Sequence, residues 1–198
     1  MSANKSLKLF NHIAPFYALA YRWQRKHYHE IYANLPHCDL SRYSSILDLG
    51  CGNGAMASVF NELGLKTIGI DQSLGMLRVA KKQKENQAVT FVQVGNDNRL
   101  PFASKSFDII LAAYVAHGMQ TEQRLKLYAE MKRLSRHLVI LHEYNQNRSL
   151  LTNIVEYAEG GDYFNFIRIV EDELKGFFGN LQIVELGGRA SCYICSVS

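Results

Sequence analysis

The sequence is short of proline, of charge and of long apolar runs. Its three prolines, Pro15, Pro36 and Pro101, in 198 residues leave no proline-rich linker, and no low-complexity tract replaces one. A second domain on a flexible tether is therefore not expected. Charged residues make up 20% of the chain, with a formal charge of +4 and no block of one sign. That balance does not point to a nucleic acid partner. The four cysteines, Cys38, Cys51, Cys192 and Cys195, do not form a disulfide framework, which a chain of this length does not need. No metal-ligand cluster is visible. Cys192 and Cys195 form a C-x-x-C, but residues three apart on a strand face opposite sides, so an inert pair is expected. The N-terminus, "MSANKSLKLFNHIAPFY", has no apolar run suited to a signal peptide or anchor. The expectation is a cytoplasmic protein with no membrane partner. What remains is 47% hydrophobic, enough for one full core and too short for two ordinary domains.

The pattern that is present is an alternation of strands and helices. Pro15 to Leu35 carries an apolar stripe of helical spacing (Phe16, Ala20, Trp23, His27, Ile31), with Pro15 suited to a first turn. Ser45 to Leu49 reads as a buried strand and Ala55 to Leu63 as a helix ended by Gly64. Lys66 to Ile70 is a second strand closed by Asp71, and Ser73 an N-cap for a helix to about Lys84. Val89 to Val94, Phe107 to Ala113 and His137 to His142 are further strands, with a helix from Glu122 to Leu134. Strands that are nearly all apolar and alternate with helices imply an α/β fold with a parallel sheet covered on both faces. Leu181 to Leu186 and Ala190 to Val197, joined by Gly187-Gly188, read instead as a hairpin.

In such a sheet the ligand sits at the carboxyl ends of the strands, so "ILDLGCGNGA" (Ile46 to Ala55) is placed for one. Its glycines Gly50, Gly52 and Gly54, followed by Asp71, also satisfy a dinucleotide fingerprint, which keeps an NAD-dependent oxidoreductase open. Asp48 argues the other way. A carboxylate beside the loop repels a pyrophosphate, and no Lys or Arg lies between Ile46 and Leu65 to compensate. It attracts a ligand carrying an amine and a sulfonium, which describes S-adenosylmethionine.

"ILDLGCGNG", "IGIDQS" and "VGNDNRLPFASKSFDIILAA" occur in that order, and together they resemble class I S-adenosylmethionine-dependent methyltransferases. The resemblance is to the small-molecule branch that includes quinone-biosynthesis enzymes, and it is firmest over Ile46 to Ala113. It implies a Rossmann-like seven-stranded sheet, mostly parallel with an antiparallel last strand. It also implies one domain over 1–198: an N-terminal helical cap (1–44), a cofactor-binding core (45–143), an acceptor-side insert (144–180) and a C-terminal hairpin (181–198). By position, Asp48, Gly50, Cys51, Gly52, Asn53 and Gly54 match the methionine-binding loop. Asp71 matches the ribose acid and Gln72 the adenine-flanking position. Met76, Gly95, Asn96, Asp97, Asn98 and Ala113 complete the expected cofactor set. Asn96 stands where the family usually has an acid, with Asp97 next to it.

The acceptor side is marked by exclusions. The fourth strand ends "LAAYVAHGM", not the "[DN]PP[YF]" resembled by amine methylators of bases and glutamine. No cysteine follows a proline, as the cytosine C5 nucleophile commonly does. A small, ring-bearing acceptor suits the aromatic residues Phe10, Phe16, Tyr17, Tyr21 and Trp23 of the N-terminal segment, which covers the acceptor in the resembled family. Tyr114, Tyr144, Tyr157, Tyr163, Phe164 and Phe166 are further candidates. His117 and Glu143 are the candidate bases, with His142 behind them, and Tyr17 completes the expected catalytic group. A non-catalytic S-adenosylmethionine-binding module retains the same cofactor motifs and stays open as a second reading.

Overall fold

The computed structural model describes residues 3–36, 38–95, 99–146 and 162–197. The backbone gathers into two compact units, Ser2–Asp97 and Asn98–Ser198. The first begins with a long helix, α1 (Ala3–Tyr32), followed by β1 (Ser45–Leu49), α2 (Ala55–Glu62), β2 (Lys66–Asp71), α3 (Leu74–Lys82) and β3 (Thr90–Gln93). The strands run β3-β2-β1, all parallel, with Asp48 opposite Gly69 and Asp71 opposite Gln93. Parallel neighbours require crossovers, and α2 and α3 supply them.

The core of this unit follows from small and apolar residues at the positions expected. Cys51, Ala57, Leu77, Ala80, Val89 and Phe91 form one buried cluster. Gly54 sits against it as the residue preceding α2, with a left-handed φ of 78°. A Cβ there would lie 2.5 Å from Asn86 Nδ2 and 2.8 Å from Phe91 Cζ. Both the backbone conformation and the space thus demand glycine.

α1 differs from its expected form. Pro15 is an interior residue, because the helix begins at Ala3. A proline inside a helix removes one N–H and crowds the carbonyl four residues back, here that of Asn11. The Asn11 side chain nevertheless ties α1 to α3: its Oδ1 accepts from Gly75 N at 2.8 Å and from Ser73 Oγ at 2.9 Å. The expected apolar stripe also turns out differently. Phe16 and Trp23 are each 70% exposed, whereas Ala14, Tyr21 and Tyr32 are the helix's buried residues among those described.

The second unit contains β4 (Phe107–Ala113), α4 (Thr121–Leu134), β5 (Ser135–Tyr144), α5 (Tyr163–Phe178), β6 (Leu181–Glu185) and β7 (Ala190–Ser196). Its strands run β4-β5-β7-β6, with β4 parallel to β5 and β7 antiparallel to both its neighbours. The hairpin turns at Gly187 and Gly188, whose φ values of 80° and 60° are left-handed. Together the units supply the strands of a seven-stranded, mostly parallel sheet with its last strand antiparallel, flanked by helices as expected. α5 is an element the sequence reading missed, and β5 is longer at both ends.

α5 is fastened to α4 by Arg124, whose side chain is wholly buried. Its guanidinium bonds both carboxylate oxygens of Glu173 (2.9 and 2.8 Å) and Asp162 Oδ2 (2.8 Å), and lies over the Phe166 ring. A buried cation of this kind holds only while all its acceptors are in place. Cys192 and Cys195 are both buried in β7, and burial pushes the Cys195 thiol up to about 12.

Gly54→Ala should lower folding stability by roughly 2–5 kcal/mol, the sum of an overpacked core and a left-handed alanine. Gly64→Ala is the control, since its φ of 95° is also left-handed but its Cβ would meet nothing within 4 Å. Urea denaturation of the two variants checks the difference.

Candidate functional site

The loop after β1 is shaped by three left-handed glycines, Gly50 (72°), Gly52 (52°) and Gly54 (78°). Gly50 N and Cys51 N both donate to Ile70 O, at 2.8 and 3.0 Å, which binds the loop to the end of β2. Asp71 closes the arrangement. Its Oδ2 accepts from Gly52 N at 2.9 Å and its Oδ1 from Ser73 N at 2.7 Å. Ser73 in turn caps α3 by accepting from Met76 N. One carboxylate therefore joins the glycine loop to the start of the next helix, a structural role not foreseen for it.

Gly52 presents the open side of the loop. A Cβ there would have no neighbour within 4 Å. Asp48 lies at the root of the loop, 1% exposed, and its Oδ2 has no hydrogen-bond partner. Burial, reinforced by the nearby charge of Asp71, pushes the Asp48 carboxyl up to about 7. The fixed negative charge expected there is thus only partly developed at neutral pH. An arriving cation would complete it, because an opposite charge favours the ionised form.

Other members of the expected cofactor set have different roles. The Cys51 side chain lies in the apolar cluster, and burial holds its thiol well above the ordinary range, so only its backbone can face a ligand. Asn53 is a fastener: its Nδ2 donates to Tyr17 O and Gln24 Oε1, and its Oδ1 accepts from Ala55 N. Met76 is buried and Gln72 exposed. Asn96, Asp97 and Asn98 lie outside the described residues. Leu100 and Phe102 are held by a pair the sequence reading did not single out. Glu130 accepts from Leu100 N, and Arg133, bonded to Glu130, donates to Phe102 O.

In the second unit β4 ends at Ala113, opposite His142 on β5. The next residue, Tyr114, has a φ of 55°, an uncommon conformation for a bulky side chain and one that concentrates at functional sites. Its N–H donates to His142 O, and its hydroxyl lies 3.2 Å from His142 Nε2. The chain then returns so that His117 Nδ1 lies 2.9 Å from Glu143 Oε2. The other oxygen of Glu143 accepts from Val115 N (2.7 Å) and Ala116 N (2.6 Å). The Glu143 side chain is fully buried and that of His117 is 12% exposed. The two candidate bases therefore form one dyad, in which Glu143 orients and His117 faces outward. Tyr144, Tyr163 and Tyr114 pack edge-on around the His117 ring, at 4.9, 6.4 and 6.5 Å between centroids. Burial, with the charge of Glu143, pushes the Tyr114 phenol up to about 12, so it stays a neutral donor.

The N-terminal aromatics do not form one group. Tyr21 is a core residue, fully buried with its hydroxyl 3.4 Å from Asn86 Oδ1. Tyr17 is half-buried, and its carbonyl is one of the two acceptors taken by Asn53. Phe166 packs under Arg124 and belongs to the α4–α5 contact. Phe10 and Tyr157 have side chains outside the described residues. Among the described residues no group of His, Cys, Asp and Glu could hold a metal ion.

Residues 47–141 match the protein-family model described as a methyltransferase domain. The chain is 32% identical over 154 residues to the ubiquinone/menaquinone biosynthesis C-methyltransferase UbiE of Campylobacter jejuni strain 81-176, covering 69% of this chain and 63% of that protein. It is 31% identical over 91 residues to a demethylmenaquinone methyltransferase of Renibacterium salmoninarum, covering 46% of this chain and 36% of that one. The chain thus spans less than two thirds of the length of these relatives. Among solved structures, human N-acetylserotonin methyltransferase in complex with SAM is similar over 100% of this chain and 57% of its own, with a TM-score of 0.65 at 16% identity. Magnesium protoporphyrin IX methyltransferase of Synechocystis PCC 6803, with bound SAH, is similar over 77% of this chain and 74% of its own, with a TM-score of 0.54 at 16% identity. These likenesses agree with the fold described above.

Asp48 makes a prediction about stability that needs no ligand. Its carboxyl titrates at about 7 in the folded chain against an ordinary value of 3.8, so the folded state binds more protons between these pH values. Stability should therefore fall as pH rises from about 4 to about 7, by roughly 4 kcal/mol from this group. Asp48→Asn should remove most of that decline, which denaturant titrations across the pH range would measure. A parallel decline in parent and variant would rule out Asp48 as its source.

Proposed function

We propose that this chain, whose residues 47–141 match a methyltransferase domain, transfers a methyl group from S-adenosylmethionine to a small, ring-bearing acceptor. We read residues 1–198 as a single catalytic domain acting on small molecules in the cytoplasm, without nucleic acid. The observation that carries this reading is the glycine loop itself. It is open at Gly52, bonded through Gly52 N to Asp71, and rooted on the Asp48 carboxyl, whose Oδ2 has no partner.

These residues fit such a cofactor. A buried acceptor without a partner is costly unless a ligand supplies one, and a cationic ligand suits a carboxyl best. The open side of Gly52 admits a ligand held closely against the backbone. Asp71 keeps acceptor capacity beyond its two backbone bonds, since each carboxylate oxygen has more than one lone pair. When bound, S-adenosylmethionine supplies an electrophilic methyl group on a sulfonium. The chain's own work is then to hold, align and deprotonate. Alignment alone can be worth ~7–11 kcal/mol. Glu143 holds His117 by Nδ1, which sets the orientation of the ring as a proton acceptor. His117 takes the proton from the attacking oxygen or carbon as the new bond forms. The surrounding tyrosines supply flat apolar walls for a ring. A quinone precursor, the kind of molecule for which the bacterial relatives are named, has both the ring and an acidic proton.

Calorimetry with S-adenosylmethionine, S-adenosylhomocysteine and NAD, followed by labelled methyl transfer to a demethylated quinol, tests the reading. Binding of the first two without NAD is expected. Micromolar NAD binding with no response to S-adenosylmethionine would overturn it.

Two variants separate cofactor binding from chemistry. Gly52→Ala should weaken S-adenosylmethionine binding by more than about tenfold, or 1.4 kcal/mol. It should cost the fold only about 1–2 kcal/mol, the penalty for left-handed backbone. His117→Ala should leave that affinity within a few fold and reduce kcat by about 10²–10⁴. Glu143→Gln should give a smaller loss with an altered pH profile. Unchanged kcat in His117→Ala would remove the base from this site.

A further inference from the structure

One face of α1 has no partner among the described residues and combines two properties. Phe16, Leu19 and Trp23 recur at spacings of three and four, so they share one side of the helix. They are 70%, 84% and 70% exposed, the three most exposed large hydrophobic residues described. His27 continues the row, its ring stacked on Trp23 at 5.7 Å between centroids and 9° between planes. Burying such side chains is favourable, so leaving a contiguous row of three in water is unusual.

The second property is charge. Arg22 and Lys26 are exposed on the same helix, one turn apart and interleaved with the apolar row. Over its 30 residues α1 has five lysines and arginines (Lys5, Lys8, Arg22, Arg25 and Lys26) against one acid, Glu30. Arg25 is spent on Ser58 and Glu62 of α2, and Lys26 lies 3.9 Å from Glu30 in an exposed pair. Aromatic and aliphatic side chains flanked by cations on one exposed helix face suit a bilayer surface, where rings enter the headgroup boundary and cations meet anionic lipids. A protein partner would suit the apolar row but gives no reason for the one-signed charge. No described helix is long and apolar enough to cross a membrane, so the contact would lie in the plane of the surface.

We propose that the Phe16–Leu19–Trp23 face of α1 docks the chain on an anionic lipid surface. This differs from the expectation of no membrane partner, which rested on the lack of a long apolar run. It does not depend on the methyl-transfer reading, because it is measured without cofactor or acceptor.

Trp23 is the single tryptophan of the chain, so its fluorescence reports directly on this face. Vesicles of phosphatidylcholine with phosphatidylglycerol should shift its emission to shorter wavelength and sediment with the full-length chain. Pure phosphatidylcholine vesicles should do neither, and 1 M salt should release the protein, since screening then acts within about 3 Å. Leu19→Glu should abolish sedimentation while keeping the parent melting temperature. Arg22→Gln and Lys26→Gln should each weaken vesicle binding about fivefold, the worth of one cation near such a surface. No response to anionic vesicles, or an equal response to both kinds, would overturn the proposal. So would an emission shift that follows protein concentration without lipid, which would assign the face to a second copy of the chain.

Discussion

Two carboxylates close together and out of water set the terms for the first unit. Asp71 is held by backbone N–H groups from the glycine loop and from the start of α3. Those bonds fix where β1, β2 and α3 meet. Asp48 has no such support for its Oδ2, and burial, reinforced by the charge of Asp71, raises its carboxyl to about 7. The pair thus stores an unfavourable arrangement that a cation would relieve. The left-handed glycines follow from the same constraint, because only they let the loop turn tightly enough to offer N–H groups to Ile70 and Asp71.

The second unit solves a comparable problem with a different device. Glu143 is fully buried, yet all its reach is used: two backbone N–H groups on one oxygen and His117 on the other. The N–H groups of Val115 and Ala116 pin the turn after Tyr114, and this pinning holds the strained φ of that tyrosine. Arg124 does for the helices what Glu143 does for the strands. It is a buried charge whose satisfied partners join α4 to α5. Each buried charge lies where two elements must keep a set distance.

Much of the architecture was legible in the chain itself. β1 and β4 were read with the bounds they have, because a strand buried on both faces is a nearly all-apolar run with sharp ends. Ser73 was legible as a cap because the hydroxyl acts within three residues. α5 was not read at all, although its apolar residues have helical spacing and Gly160-Gly161-Asp162 in the sequence marks a start for it. Pro15 misled, since its ring is compatible with a first turn and gives no sign of a helix already under way. For the site, the glycines, Asp48 and Asp71 could be named from their spacing. The roles of Asn53 and Cys51 could not, because side-chain direction in a loop depends on what packs against it.

By itself the sequence determined the order of strands and helices, the glycine loop with its two acids, and the candidates His117 and Glu143. Each of these is encoded by residues near one another in the chain. Only the tertiary structure decided that those two candidates pair, 26 positions apart in the chain. It alone decided that the Asp48 charge is conditional, because burial and the field of Asp71 are properties of the packed state. It also decided which side of α1 faces water. Helical period places Phe16, Leu19 and Trp23 together, but whether such a stripe is buried depends on neighbours that the period does not contain.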